Sequence, residues 1–199
     1  MPRNALPRAV QTSRLLLEPW DESHTALLRR LALTPAVVRH IGDGTTWSEA
    51  RIQDVARHNR EHWREHGFGW RVARMRERVG RPAGAPIGLI ALSYAGEGAG
   101  IDAREHEIGW WLAPDAWGRG LAREGAAAVR DEAFGRVGAP SVVARIAPPN
   151  AASLAVAAAI GLRHERYSTG RGGERIAVLR LSAGAATAQA AGANRPLRR

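Results

Sequence analysis

A glycine-rich turn in the middle of the chain contains the residue types with the most evident chemistry. Residues 117–122 read Trp-Gly-Arg-Gly-Leu-Ala and lead into a long helical pattern. At the start of a helix several backbone N–H groups have no partner, and the helix dipole adds roughly half a positive charge there. Such a turn suits an anion, so the pattern predicts a site for a phosphorylated ligand, with an ordinary loop as the alternative.

The stretch before this turn has the pattern of a β-strand. Its apolar residues stand at every second position and are Ile108, Trp110 and Leu112. This alternation is typical of a strand that is buried on one face. Pro114 ends the strand because it cannot donate a hydrogen bond to a neighbouring strand. The chain therefore predicts a strand, a glycine turn and a helix in succession.

Three histidines form a second pattern with potential chemistry. His58, His62 and His66 recur at every fourth position of a predicted helix, a spacing that suits a metal ion. No carboxylate completes a convincing ligand set, and the chain has no cysteine. We therefore interpret the histidines as a solvated helix face and predict no metal site.

Composition narrows the class of protein. A chain of 199 residues with 45% hydrophobic residues is expected to form one domain with a full core. It lacks a long apolar run and an apolar signal segment, so we predict a cytoplasmic protein without a membrane span. The net charge of +10 comes from arginine, since no lysine is present. These arginines are scattered and several adjoin glutamates, which favours a solvated surface over a nucleic-acid interface.

The periodicity of the whole chain predicts the order of its elements. We expect a strand, two or three helices, three antiparallel strands, a helix, a strand, a helix and two final strands. This order predicts an α+β fold, of mixed α/β character, over residues 12–182. Residues 1–11 are predicted to form an irregular arm, and residues 183–199, rich in alanine, glycine and arginine, a disordered tail.

Two segments of the chain resemble signature motifs of the GNAT superfamily of N-acetyltransferases. The acyl-CoA signature has Gln or Arg, two residues, Gly, one residue and then Gly or Ala; here Trp117, Gly120 and Ala122 stand at those positions. The second motif has Asn, two residues and Ser before a short helix ending in Gly-Phe; here it begins at Asn150 and has Leu162 for Phe. The wider string IGWWLAPDAWGRGLAREGAAA is similar to the branch that contains the ribosomal-protein N-terminal acetyltransferases.

The resemblance implies a central, mostly antiparallel sheet that is flanked by helices and splayed open at a CoA cleft. Acetyl-CoA would be a co-substrate, with its pantetheine arm between the strand ending at Leu112 and the strand at residues 141–146. Its pyrophosphate would lie on the glycine turn. The residues that the resemblance assigns to acetyl-CoA are Leu112, Ala113, Trp117, Gly118, Arg119, Gly120, Leu121, Ala122, Asn150 and Ser153. A helix cap is the alternative role for Asn150.

For the chemistry, the resemblance implies direct attack of a neutral amine on the thioester. Glu107 is the predicted base, and pairing with a nearby arginine is its alternative role. The tyrosine that many family members use as the acid is absent, because residues 157–160 read Ala-Ala-Ala-Ile. Ser153 is therefore the predicted acid. The other residues considered are Glu105 and His106 for the base and Tyr167 for the acid.

The predicted function is thus that of an acetyl-CoA-dependent N-acetyltransferase. Its partners would be acetyl-CoA and a primary amine, either a protein N-terminus or a small molecule. The alternative is a non-catalytic acyl-CoA-binding or sensor protein of the same fold. Both a monomer and a homodimer agree with the resemblance.

Overall fold

The computed structural model describes residues 9–76, 84–96, 98, 100–170 and 173–186. The strands in these ranges are β1 (Val10–Gln11), β2 (Leu15–Pro19), β3 (Arg71–Met75), β4 (Pro86–Tyr94), β5 (His106–Leu112), β6 (Ser141–Ile146), β7 (Arg163–Thr169) and β8 (Arg175–Ser182). The α-helices are α1 (Thr25–Ala32), α2 (Pro35–Val38), α3 (Glu49–His66), α4 (Leu121–Glu132) and α5 (Ala151–Ala159). Residues 1–8 of the predicted arm and 187–199 of the predicted tail lie outside the described residues.

The strands form one eight-stranded sheet. Its order is β1-β2-β3-β4-β5-β6-β8-β7. Neighbouring strands run antiparallel, except for β5 and β6, which run parallel. Helix α4 lies in the connection between these two, because parallel neighbours need a crossover. The predicted α+β fold with a mostly antiparallel sheet and flanking helices is confirmed.

Helices cover both faces of the sheet. Successive residues of a strand point to opposite faces. Accordingly, Ile90 and Ile108 belong to a core cluster with Leu121 of α4, and we call this side the α4 face. Leu89 belongs to a second cluster that includes residues of α1, α2 and α3. We call that side the tryptophan face, after its members Trp20, Trp47, Trp63, Trp70 and Trp111.

Helix α3 begins directly after its N-cap residue, Ser48. The Ser48 hydroxyl accepts a hydrogen bond from the Arg51 N–H at 3.2 Å, which satisfies one donor of the first turn. Ile52 and Trp63 on one side of the helix are buried in the tryptophan face. In the described part of the chain, neither this helix nor any other is long and apolar enough to cross a membrane.

Short segments at both ends of the predicted domain differ from the sequence-based expectation. Val10 and Gln11, placed in the irregular arm, pair with β2 as strand β1. Residues 183–186, placed in the tail, form a helical turn in which the Ala183 N–H donates to the Pro140 carbonyl at 3.0 Å. The helix after the glycine turn also changes character, widening into a π-helix at Ala133–Val137. A two-residue strand and a single turn are too short to show a period, so the sequence pattern did not indicate them.

Candidate active site

The strand pair β5 and β6 opens into a V-shaped cleft. Strand β5 pairs with β4 along its whole length, from His106 to Leu112. With β6, the described parts of the two strands pair only at His106 with Val142 and at Glu107 with Val143. Beyond these pairs the strands diverge, and β6 continues alongside β8. Glu107 therefore lies at the apex of the cleft, and the edges of both strands beyond it can accept an extended ligand.

The glycine turn lies at the mouth of this cleft. Gly118 and Gly120 have φ angles of 70° and 72°, a left-handed conformation that glycine adopts without steric cost. Gly120 is the N-cap of α4, and no described side chain caps the helix there. The first N–H groups of α4 and the positive end of its dipole therefore favour an anion at the mouth of the cleft.

Two of the groups predicted to bind acetyl-CoA already have protein partners. The Leu112 carbonyl accepts a hydrogen bond from the Trp117 indole at 2.7 Å, and the Ala113 N–H donates to the Ile87 carbonyl at 2.8 Å. A carbonyl oxygen has two lone pairs, so Leu112 can accept a second bond. Trp117, which departs from the family signature, thus holds the turn against the end of β5.

A carboxylate that no sequence pattern indicated fixes the turn from the other side. Glu124, in the first turn of α4, accepts hydrogen bonds from the Thr12 and Ser13 hydroxyls and from the Arg14 N–H. The Arg14 guanidinium bonds to the same carboxylate at 2.6 Å and to the Arg119 carbonyl at 2.8 Å. Burial by itself would raise the pKa of Glu124, but these hydrogen bonds lower it to about 2. The negative charge beside the anion site is thereby compensated.

The opposite wall of the cleft continues into α5. The Asn150 side chain accepts a hydrogen bond from the Ser153 N–H at 3.1 Å, which is the helix-capping role considered from the sequence. The Ser153 hydroxyl accepts a hydrogen bond from the Trp110 indole at 3.2 Å. Because Trp110 belongs to β5 and Ser153 to the helix after β6, this bond connects the two walls of the cleft.

Glu107 pairs with an arginine from the other wall. The Arg145 Nε lies 2.9 Å from the Glu107 Oε1, and its Nη2 contacts the second carboxylate oxygen. The Nη2 also donates to the Ala95 carbonyl at 3.0 Å. Burial by itself would lower the pKa of Arg145, but the hydrogen bond and charge of Glu107 outweigh it and raise the pKa. The arginine pairing weighed from the sequence is therefore present, and the role of Glu107 as a base stays a prediction.

The other residues considered for the chemistry occupy different environments. Glu105 precedes β5 and pairs with Arg180, whose hydrogen bond lowers the pKa of the glutamate. His106 packs against Phe68 and Tyr94, and burial lowers its pKa. Tyr167 belongs to the edge strand β7 and is 51% exposed. Of the carboxylates considered, only Glu107 lies at the apex of the cleft.

The histidine pattern on α3 needs a correction. His58 and His66 are exposed as predicted, but His62 is buried. Its Nε2 accepts a hydrogen bond from the Tyr94 N–H at 3.2 Å, so its Nδ1 carries the hydrogen and donates to the Phe68 carbonyl at 2.8 Å. Burial is the main cause that lowers the pKa of His62 to about 4. Among the described residues no group of three potential ligands is arranged to hold a metal ion.

On the tryptophan face, β5 carries a small open notch. Glu107, Gly109 and Trp111 share this face because they stand at every second position. A Cβ atom built on Gly109 would meet only the Ala91 Cβ, at 3.7 Å. Trp111 closes one side of the notch and packs edge-on against Trp47, with ring centroids 5.0 Å apart. Trp110 points to the α4 face, so the two adjacent tryptophans line opposite sides of the strand.

Solved structures of other proteins share the fold of this chain. An acetyltransferase from Agrobacterium tumefaciens strain C58 is 28% identical, with a TM-score of 0.71 over 87% of this chain and 94% of that one. RimL, an α-N-protein acetyltransferase of a ribosomal protein solved with coenzyme A, is 17% identical, with a TM-score of 0.70 over 89% of this chain and 99% of that one. A spermidine N-acetyltransferase from Vibrio cholerae, solved with CoA and spermine, is 15% identical, with a TM-score of 0.66 over 88% and 99% of the two chains. The family profile of the acetyltransferase (GNAT) domain matches residues 14–163, and the chain therefore belongs to the GNAT acetyltransferase family.

Proposed function

We propose that this protein is an N-acetyltransferase that transfers the acetyl group of acetyl-CoA directly to a primary amine. The observation that carries the proposal is the cleft itself, which has a helix N-terminus without a side-chain cap at its mouth and a carboxylate at its apex. A phosphorylated, extended thioester fits both features. The acceptor would be a protein N-terminus or a small amine, the two classes named for RimL and for the spermidine enzyme.

The turn and the strand edges would bind acetyl-CoA through backbone groups. The pyrophosphate would lie on the N–H groups of residues 118–122, where the helix dipole favours negative charge. The pantetheine arm would run along the diverging edge of β5, as an added strand does. Gly118 suits this close approach, because an atom at its Cβ position would meet nothing within 4 Å. The space in front of the turn is therefore open to a ligand.

Glu107 would draw the proton from the acceptor ammonium through a bound water. An alkyl amine has a pKa of about 10, so only a small fraction is neutral at pH 7 without help from a base. The Arg145 pair fixes the orientation of the carboxylate at the apex. In this arrangement the acceptor would approach from the tryptophan face, along the notch at Gly109 between Glu107 and Trp111.

Ser153 would give a proton to the departing sulfur. The amine nitrogen forms the new bond to the acetyl carbon, and the carbon–sulfur bond breaks with its electron pair on sulfur. The sulfur takes the hydroxyl proton of Ser153, and the serine regains, through water in the cleft, the surplus proton that the newly acetylated nitrogen loses. Ser153 lies in the first turn of α5, where the helix dipole favours the negative charge that develops on sulfur.

A non-catalytic acyl-CoA-binding protein is the second candidate. The observation that favours it is the pairing of Glu107 with Arg145, since both carboxylate oxygens already contact the guanidinium. In such a protein the ion pair would only join β5 to β6. It would bind acetyl-CoA with the same turn and cleft but release no CoA when an amine is added.

A screen of amines and peptides, read by release of the free thiol of CoA, separates the two candidates. Spermine and short peptides with a free N-terminus would be the first acceptors. We expect release with the wild type, and Glu107→Gln should lower kcat by about 10²–10⁴-fold, with partial recovery at higher pH. Binding of acetyl-CoA without release by any acceptor would support the sensor instead.

The matched control for Glu107→Gln is Glu18→Gln. Glu18 also lies on a strand, is partly exposed and pairs with an arginine, Arg74, at 2.5 Å. It stands on β2, which β3 and β4 separate from β5. We expect this variant to keep the wild-type kcat. An equal loss in both variants would show that the effect of Glu107→Gln comes from a broken ion pair and not from a lost base.

A further inference from the structure

We propose that Trp110 is a positioning residue that directs the hydroxyl proton of Ser153 toward the sulfur of the substrate. The inference rests on the proposed function, because it assigns Trp110 a task in that reaction. It starts from one contact, the hydrogen bond of 3.2 Å between the Trp110 Nε1 and the Ser153 Oγ. These residues are 43 positions apart and stand on opposite walls of the cleft.

The chemistry of the two groups fixes the direction of this bond. An indole nitrogen can only donate, whereas a serine hydroxyl has one hydrogen and two lone pairs. The Ser153 oxygen must therefore be the acceptor, and its own hydrogen must point elsewhere. Among the residues that the structure describes, none accepts that hydrogen. The hydroxyl proton is thus left for a group that enters the cleft.

The position of Ser153 is fixed from three directions. Its backbone N–H is bound by the Asn150 cap at 3.1 Å, and its backbone belongs to the first turn of α5. Its hydroxyl oxygen is held by Trp110, whose ring packs partly buried on the α4 face. A rotamer of Ser153 that turned the hydroxyl away would lose the indole bond. The indole therefore selects the orientation in which the hydroxyl faces the cleft.

The same bond also makes Ser153 a better proton donor. When the hydroxyl gives its proton to sulfur, negative charge grows on the serine oxygen. An N–H that donates to this oxygen stabilises that charge, and hydrogen bonds in a chain strengthen one another. The dipole of α5 acts in the same sense. Trp110 would therefore lower the barrier of the step without touching either substrate.

Two substitutions of Trp110 separate the effect of the indole N–H from the effect of the aromatic ring. Trp110→Phe keeps an aromatic ring on the α4 face but has no donor. Trp110→His places its Nε2 where the indole Nε1 stands, because both atoms occupy the same corner of a five-membered ring. We expect Trp110→Phe to lower kcat by about 3- to 10-fold, the worth of one neutral hydrogen bond, and Trp110→His to recover most of that loss. The Kd of free CoA should change by less than about 2-fold in both.

A double-mutant cycle tests whether Trp110 acts through Ser153. In the Ser153→Ala background, Trp110→Phe should cause no further loss of kcat. Losses that multiply in the double variant would overturn the proposal, because Trp110 would then act independently. Equal activity of the His and Phe variants would overturn it too, since the ring and not the donor would matter.

An NMR measurement gives a readout that does not depend on catalysis. The indole N–H resonance of Trp110, assigned by its loss in Trp110→Phe, should move in Ser153→Ala because its acceptor is gone. An unmoved resonance would refute the contact itself. If this resonance moves but the wild type releases no CoA with any acceptor, the proposed function fails and the positioning role falls with it, while the contact stands.

Discussion

Each end of helix α4 carries a glutamate that pairs with an arginine from another element. The pair at the start of the helix is partly exposed, and the pair at its end is buried. At the start, Glu124 binds Arg14 at 2.6 Å, and the arginine side chain is 37% exposed. At the end, Glu132 binds Arg71 at 2.5 Å, and the arginine is 1% exposed. Burial by itself would raise the pKa of Glu132, but the hydrogen bond from Arg71 lowers it. The buried pair joins the helix to β3, whereas the partly exposed pair holds the glycine turn.

The difference shows how one helix can serve stability and binding separately. A buried charge that loses its partner is costly, so the Glu132 end has little freedom. A partly exposed pair is screened by water and contributes less to stability than a buried one, so the Glu124 end can adjust to a ligand more easily. Four substitution experiments test this division, beginning with the largest expected effect.

Breaking the buried pair should have the largest effect. Arg71→Met leaves the Glu132 carboxylate without its main partner, and we expect a loss of about 3–5 kcal/mol in the free energy of unfolding. Arg136→Met removes the exposed partner of the same carboxylate, which should cost at most about 1 kcal/mol. Denaturant unfolding measures both. Similar losses would contradict the assignment of stability to the buried contact.

A side chain on the glycine turn should weaken CoA binding. Gly120→Val forces a branched residue into a left-handed conformation at the anion site, and we expect the Kd of CoA to rise by about 10²-fold. Gly138, with φ of 74°, follows the π-helix beyond the other end of α4 and provides the matched control. Gly138→Val should cost similar backbone strain but leave the Kd unchanged. Calorimetric titration with CoA measures the Kd of both variants. An unchanged Kd for Gly120→Val would show that the glycine turn does not bind CoA.

Lowering the pH should affect the contribution of His62 to stability before it affects the two Glu–Arg pairs of α4. The pKa of His62 is lowered to about 4, while an unfolded histidine titrates near about 6.5. The unfolded chain thus binds the proton first, and stability should fall as the pH drops from about 6.5 to 4, by up to about 3 kcal/mol. His62→Gln should remove most of this slope and leave the part that His106 contributes through its own lowered pKa, whereas the exposed His58→Gln should keep the whole slope.

The pairs on α4 should respond to acid only at lower pH. The pKa of Glu124 is lowered to about 2, so its contribution is complete above the unfolded value of about 4.5 and disappears as the pH falls toward 2. A slope above pH 5 in His62→Gln, of the size seen in the wild type, would contradict the assignment to His62.

The smallest effect is expected at the exposed pair. Glu124→Gln keeps the shape but removes the charge that binds Arg14, and it should lower the free energy of unfolding by about 1–2 kcal/mol, the worth of one hydrogen bond to a charged group. The Kd of CoA should rise by about 3- to 10-fold, because Arg14 would no longer be held in the position from which it binds the Arg119 carbonyl of the turn. A stability loss as large as that of Arg71→Met would erase the difference between the two ends of α4.

Periodicity made the fold predictable from the sequence, and residue type made the ligand turn predictable. The alternation in β5 and the two glycines before α4 are local patterns, so they can be read without knowing what packs against them. The contacts that organise the site are not local. Glu124 meets Arg14 across 110 positions, and Trp110 meets Ser153 across 43. No periodic signal marks such pairs, because either partner is an ordinary residue of its own element.

The burial of His62 escaped prediction for a related reason. Its spacing with His58 and His66 indicated a polar helix face, and the flanking residues are charged. The packing of α3 against Phe68 and Tyr94 decides instead, and these residues supply both hydrogen-bonding partners of the ring. A polar side chain is buried when its partners are in place, and those partners come from other elements.

Because the described parts of β5 and β6 pair at only two residues, the sheet consists of two groups of strands, here called plates, and we call the line where β5 meets β6 the seam. One plate holds β1 to β5, and the other holds β6, β8 and β7. Two backbone pairs cross the seam, and side-chain bonds among the described residues, including those of Glu107 with Arg145, Glu105 with Arg180 and Trp110 with Ser153, also cross it. A ligand lying in the seam would bind the backbone of both plates and couple their motions. Amide hydrogen exchange in residues 108–112 and 144–146 would then slow together when CoA binds, although these residues lie on different plates.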